Sequence, residues 1–352
     1  MSIGVKYVWS YMARLIRESM RVKKMSEIAT IIGNETVQRY ITVEEVIQTV
    51  EDVWTAYGNG RVIMPPKVTT DMSSAGVDGW FNSMPSYIVD TDTAGIKVVG
   101  GYNGNKAIGL PFIKANILLT DSHNGKLKAL VAGDWISDMR TGAQPAIMAE
   151  KLAAKTDIVT IIGAGLQGYT SLLCMSKRLK MKEVRVCDLN PDARKSFIAK
   201  FADADFEMVE YENNQAACEG SDIIITVTTA NADLVKDAWV KKGALVMTMG
   251  SFRETSFDVI RNADCLAVDH PAQALHRGNF KELGETGELT LESFDIEIPL
   301  VLAGKQQGRR NADDKICAEI VGMGCPDVAI ADLVYKKVMA SGEALTQVDM
   351  TK

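Results

Sequence analysis

The sequence predicts an α/β protein in two parts, a Rossmann-type doubly wound parallel sheet and a smaller α+β unit. Three observations lead there. Short β-branched runs alternate with helical segments from about 133 to 303. One of these runs enters a glycine-rich turn and a helix before the next run closes on an acid. The stretch before them, 62–130, breaks instead into short β-type runs separated by Gly, Pro and Asn.

The first 24 residues mix Trp9, Tyr11, Leu15 and Ile16 with Arg14, Arg17, Arg21 and Lys23, and read as an N-terminal extension. A short strand is expected at Ile28 to Ile32. Thr42 then caps a helix, with Glu45 three residues on completing a capping box. Val43, Val46, Ile47, Val50, Val53 and Trp54 form its apolar face, and Gly58-Asn59-Gly60 stops it. Strands are expected at Ser86 to Val89, Ala94 to Val99, Lys114 to Thr120 and Lys126 to Val131, the last two joined by an Asn124-Gly125 hairpin. Arg140 to Ala154 reads as a helix rich in alanine and methionine.

The most informative stretch follows. Ile158 to Ile162 leads into Gly163-Ala164-Gly165-Leu166-Gln167-Gly168, then a helix, then Val184 to Cys187, with Asp188 placed 20 residues after Gly168. Gly163 suits the tight turn, Gly165 lets backbone amides approach a pyrophosphate, and Gly168 lets the helix pack close to the sheet. The helix N-terminus offers free N–H groups to phosphates. Asp188 is placed to accept ribose hydroxyls and to repel a 2′-phosphate, which favours NAD over NADP. Arg185 lies before the strand end and Arg194 a helical turn beyond it. Further buried strands are expected at Asp222 to Thr228, Ala244 to Thr248 and Cys265 to Val268, with helical segments at Asp192 to Phe201 and Leu234 to Val240. A long helix is expected from Cys325 to Ala340, folding back on the first part. The resulting division is 1–24 as the extension, 25–132 with 304–352 as one domain, and 133–303 as the nucleotide domain.

Composition narrows the function. The 352 residues are 47% hydrophobic and 24% charged, and the net charge of −6 makes no electrostatic case for nucleic acid or a membrane surface. No run reaches the roughly 20 apolar residues of a membrane span. Six scattered cysteines without a CxxC pair suit a reducing cytoplasm, and three histidines show no metal-ligand spacing. Lys67, Lys97 and Arg140 precede the glycine turn. Lys97 interrupts an apolar strand, where an unpaired charge is costly. Arg140 at a helix start opposes the helix dipole and calls for an anion nearby.

With these residues in view the chain resembles the ornithine cyclodeaminase/mu-crystallin family. The matching pieces are Arg61 to Lys67, Met84-Pro85-Ser86-Tyr87, Gly95-Ile96-Lys97-Val98-Val99, Asp138-Met139-Arg140-Thr141-Gly142-Ala143, the glycine turn, Gly304-Lys305 with Gly308-Arg309, and Gly322-Met323-Gly324 with Asp327-Val328-Ala329. The resemblance implies a homodimer whose first domain binds an amino or imino acid and builds the interface. It also implies hydride transfer between substrate Cα and nicotinamide through an imine. Residue by residue, Lys67, Lys97 and Arg140 become the substrate-carboxylate groups, Lys97 also the catalytic lysine. Thr141, Thr228 and Thr229 join the glycine turn and Asp188 at the cofactor. Two departures stand out. Lys67 occupies the place of an arginine, losing its planar fork. Phe252 occupies the place of an aspartate, leaving Glu254 or Asp258 as substitutes, with Glu254 preferred. This points to an amino-acid dehydrogenase or ketimine reductase. The alternatives are ornithine cyclodeaminase and a catalytically silent dinucleotide-binding protein.

Overall fold

The computed structural model describes residues 26–352, so the extension expected at 1–24 lies outside the described residues. The first part opens with β1 (Ile28–Ile32) and helix α1 (Val43–Gly58). The Thr42–Glu45 capping box is formed in both directions, and Val46, Val50, Val53 and Trp54 are buried on one helix face. Strands β2 (Val62–Ile63), β3 (Val68–Asp71), β4 (Gly79–Ile88), β5 (Thr93–Tyr102), β6 (Ile113–Thr120) and β7 (Leu127–Ala132) follow. They order as β1-β7-β6-β5-β4-β2, with β3 also on β4, and β6 and β7 are antiparallel across the Asn124-Gly125 turn.

Strands β4 and β5 are longer than their apolar runs suggest. Gly79, Pro85, Gly100 and Gly101 look like breaks in the sequence, yet all lie inside paired strands. A Cβ on Gly79 would strike the Tyr102 ring, and one on Gly101 the Trp80 ring, so these glycines make room for cross-strand aromatics.

Helix α2 (Asp134–Leu152) links the two parts. It starts six residues before Arg140, which therefore lies well inside the helix and not at its start. The dipole argument for a nearby anion does not apply; burial of the charge makes the same demand on different grounds.

The second sheet contains β8 (Ile158–Ile162), β9 (Glu183–Cys187), β10 (Glu207–Tyr211), β11 (Ile223–Thr226), β12 (Leu245–Thr248), β13 (Cys265–Val268), β14 (Ile296–Glu297) and β15 (Ile316–Glu319). Every pairing is parallel, in the order β10-β9-β8-β11-β12-β15-β13-β14. Helix α3 (Leu166–Ser176) follows β8 and crosses α2 closely, because a Cβ on Gly142 would meet the Thr170 carbonyl at 2.4 Å.

Two expectations change here. Strand β15 lies between β12 and β13, so the nucleotide sheet extends past residue 303 and takes a strand from the stretch assigned to the other domain. Only Asp237–Trp239 is helical within Leu234 to Val240, a single 3₁₀ turn. Val235 bridges Thr255 in parallel, and this pairing holds the chain extended.

After β15, helix α4 (Cys325–Ser341) returns to pack on α1, α2 and strands β4 to β6, and β16 (Gln347–Asp349) pairs antiparallel with β1. No helix among the described residues is long and apolar enough to cross a membrane.

Candidate active site

Lys97 is fully buried on β5, and Arg140 is only 8% exposed on α2. Both meet Asp327 in the first turn of α4. Lys97 Nζ donates to Asp327 Oδ2 at 2.7 Å, and Arg140 Nε lies 3.1 Å from the same oxygen. Two buried cations thus share one buried carboxylate, the arrangement that makes their desolvation tolerable. Arg140 Nη1 also donates to Gln144 Oε1 at 3.1 Å, and Lys97 Nζ lies 3.4 Å from Ser137 Oγ. Burial, with Arg140 alongside, brings the Lys97 ammonium down to about 8.

Lys67 lies at the same site with different partners. Its Nζ donates to the Val321 carbonyl at 2.7 Å, with the Gly322 carbonyl at 3.5 Å. Neither acceptor carries a charge. Burial and the neighbouring Arg277 bring it down to about 7. Gly322 has φ +78 and sits against the guanidinium, where a Cβ would fall 2.9 Å from Arg140 Nη1. Asp269 holds this bend by accepting the Val321 and Gly322 N–H groups at 3.1 and 2.8 Å.

The glycine turn forms as its pattern predicts. Gly163 has φ +114, and a Cβ on Gly168 would come within 2.2 Å of the Gly163 carbonyl. Gly165 and Leu166 are exposed at the tip, with α3 beginning at Leu166, while Ala164 and Gln167 flank them half-buried. Asp188 braces the turn, since its Oδ2 accepts the Ala164 N–H at 2.8 Å. Arg194 is spent on Glu210 and on the Asp188 carbonyl, and Arg185 on Glu183, Ala217 and Glu219. Neither arginine is left for a 2′-phosphate. An open helix N-terminus, a turn without side-chain obstruction and a carboxylate at the second strand end fit NAD.

Helix α2 joins the two centres. Arg140 points to the cations, while Asp138, two residues earlier, accepts from Gln167 Nε2 of the glycine turn at 3.3 Å. Burial and Asp134 push the Asp138 carboxyl up to about 6. Thr141 lies half-buried on the same helix, its hydroxyl donating to the Ser137 carbonyl.

Glu254 does not join the cations, contrary to the catalytic place expected for it. It is fully buried, and its Oε1 accepts the Thr228 N–H and hydroxyl at 2.7 and 2.6 Å. Burial raises its pKa. It supports the loop beyond β11, where Thr228 is half-buried and Thr229 exposed. Asn279 braces the segment after β12 that carries Glu254, accepting the N–H groups of Glu254 and Thr255. Phe252 and Asp258 are exposed.

Asp327 is the residue that sequence reasoning missed. Two expensive cations called for a carboxylate, and the acid beside Pro326 at a helix start was the available signal. Among the described residues no cluster of three or more His, Cys, Asp or Glu side chains is placed to hold a metal ion.

The chain is similar to known proteins over most of its length. The family model for the ornithine cyclodeaminase/mu-crystallin family matches residues 28–342. Alanine dehydrogenase of Archaeoglobus fulgidus is 27% identical over 88% of this chain and 95% of its own. Ketimine reductase mu-crystallin of Mus musculus is 30% identical over 79% and 86%. Among solved structures, Thermococcus litoralis Δ1-pyrroline-2-carboxylate reductase in complex with NADH and L-proline superposes with a TM-score of 0.83 at 28% identity, covering 90% of this chain and 99% of its own. An archaeal alanine dehydrogenase dimer with bound NAD gives 0.84 at 25%, covering 92% and 99%.

Proposed function

Since the chain belongs to the ornithine cyclodeaminase/mu-crystallin family, we propose that it is an NAD(H)-dependent oxidoreductase acting on the Cα–N bond of an amino acid or its imine. The observation that carries this reading is helix α2, which places Arg140 among the cations and Asp138 against Gln167 of the glycine turn. Substrate and dinucleotide sites therefore share one rigid element.

The turn 163–168 and Asp188 would hold NAD, which would supply the hydride acceptor or donor. The protein's own side chains do the rest. Arg140 has five N–H donors and spends two on Asp327 and Gln144, so the others remain for a substrate carboxylate. Asp327 and Gln144 hold the fork in place before substrate arrives, which lowers the ordering cost of binding. Lys67 adds a second cation to the clamp. Lys97, poised near neutrality, exchanges the proton on the substrate nitrogen. Glu254 is a positioning residue for the Thr228 loop.

The first sheet has a second face, opposite α4, lined by half-exposed Phe81, Pro85, Ile96 and Val98. We assign that face to a homodimer interface. The six free buried thiols suit a cytoplasmic setting.

The experiment is a panel of amino acids with NAD, and of 2-oxo acids with amines or cyclic imines with NADH, followed by nicotinamide absorbance and ammonia release together. A stoichiometric change in NADH is expected. Ammonia released from ornithine without net NADH change would make the protein a cyclodeaminase. Cofactor binding without any turnover would make it a silent binder.

A further inference from the structure

The cations of the site are not equally partnered. Lys67, Lys97, Arg140 and Arg277 gather there. Among the described residues Asp327 pairs with Lys97 and Arg140 and with no other cation. Asp269 is spent on the Val321 and Gly322 N–H groups, and burial shifts it toward its neutral form. Among the described residues neither Lys67 nor Arg277 has a carboxylate in contact. Lys97 and Arg140 have Asp327, whereas Arg277 has only the neutral Thr69 hydroxyl among the described residues.

Arg277 has a defined place. It follows the helix Pro271–Ala274 beyond β13 and crosses to the other sheet, where its Nη2 donates to Thr69 Oγ1 at 2.5 Å. Thr69 is itself fixed, donating to Asn82 Oδ1 at 2.6 Å. On β4, Asn82 faces Val99 and Met84 faces Lys97. The anchor of Arg277, Thr69 on β3, therefore lies two strands across and one two-residue step along from Lys97, roughly 12 Å between backbone positions, and two residues after Lys67. One of five guanidinium N–H groups is spent on Thr69, and among the described residues no other acceptor takes the rest. The dinucleotide's phosphates are not the missing anion. They belong at the turn after β8, whereas Gly278, beside Arg277, packs on Gly250 after β12 and on Glu319 of β15, at least two strands away, roughly 10 Å.

We propose that the substrate carries a second carboxylate on its side chain, and that Arg277 binds it. The proposal rests on reading the site as that of an amino- or imino-acid oxidoreductase. Arg140, Lys67 and Lys97 take the α-carboxylate end, and Arg277 selects aminodicarboxylic acids or their imines over monocarboxylic ones.

The test compares kcat/KM for matched mono- and dicarboxylic substrates in the wild type, Arg277→Met and Arg277→Lys. The wild type is expected to prefer the dicarboxylic member. Arg277→Met should lose roughly 10- to 100-fold on it, mainly through KM, and change little on the monocarboxylic one. Arg277→Lys should recover part of the loss. Equal losses on both substrates, or a wild-type preference for the monocarboxylic one, would overturn the proposal. Calorimetry of succinate against butyrate binding, with NAD present, reads Arg277 independently of turnover. Weaker succinate binding in Arg277→Met alone supports its role even if no substrate is turned over, and equal succinate binding in both proteins rejects it.

Discussion

The glycine turn takes its geometry from one run of chain, 158–188, whereas the cation cluster draws residues 67, 97, 140 and 327 from four separate segments. In the turn, backbone does the work: a left-handed Gly163, a close approach at Gly168, an exposed helix N-terminus. In the cluster, side-chain charge does the work, and each group is tolerable only because another is present. A local motif degrades gradually when altered. A mutually dependent cluster fails when any single partner is removed.

The largest effect expected from this contrast comes from Asp327→Ala. It strands Lys97 and Arg140 beside each other without their counter-ion, and should cost about 3–5 kcal/mol of stability. Chemical denaturation reads this directly, and an unchanged midpoint would show that the cluster does not depend on its carboxylate. Arg140→Ala and Gly168→Ala should then separate the two regions. The first should lower kcat/KM roughly 100- to 1000-fold while NAD affinity, read by fluorescence titration, holds. The second forces a Cβ against the Gly163 carbonyl and should weaken NAD roughly tenfold or more. Equal effects of both changes on NAD affinity would erase the distinction.

A smaller effect follows pH. Lys67 is charged below about 7 and neutral above it, so the attraction for a carboxylate fades as pH rises through that value. KM for the substrate should climb by roughly tenfold across this range, and Lys67→Arg, which cannot titrate, should flatten the profile. A wild-type profile as flat as that of the variant would remove Lys67 from the clamp.

What was legible in the sequence follows the same division. The glycine turn, the Thr42 capping box and the Asn124-Gly125 hairpin are local, and each rests on residues within a few positions of one another. Asp327 was not placed because its partners stand 187 and 230 residues away, and spacing carries no information over such distances. Only its position near Phe252 points to a catalytic role for Glu254 in the sequence. Its depth, and the Thr228 groups it holds, become visible only when β11 and β12 lie side by side. The first turn of α2 is hidden in the sequence because Asp134-Trp135-Ile136-Ser137 carries no strong helix signal. There Asp134 accepts the Ala115 N–H and pairs with Lys114 on β6, a contact between elements. Strand β15 went unread because its neighbours in the sheet lie far upstream in the chain.

That strand has a consequence for how the protein can be taken apart. The segment 133–303 is not a detachable module, because excising it would leave an empty slot between β12 and β13 in the middle of the sheet. The residues that fill the slot run straight on into the Val321 and Gly322 carbonyls that receive Lys67. A shear between strands of the nucleotide sheet would therefore be felt directly at the substrate clamp, with no hinge between them to absorb it.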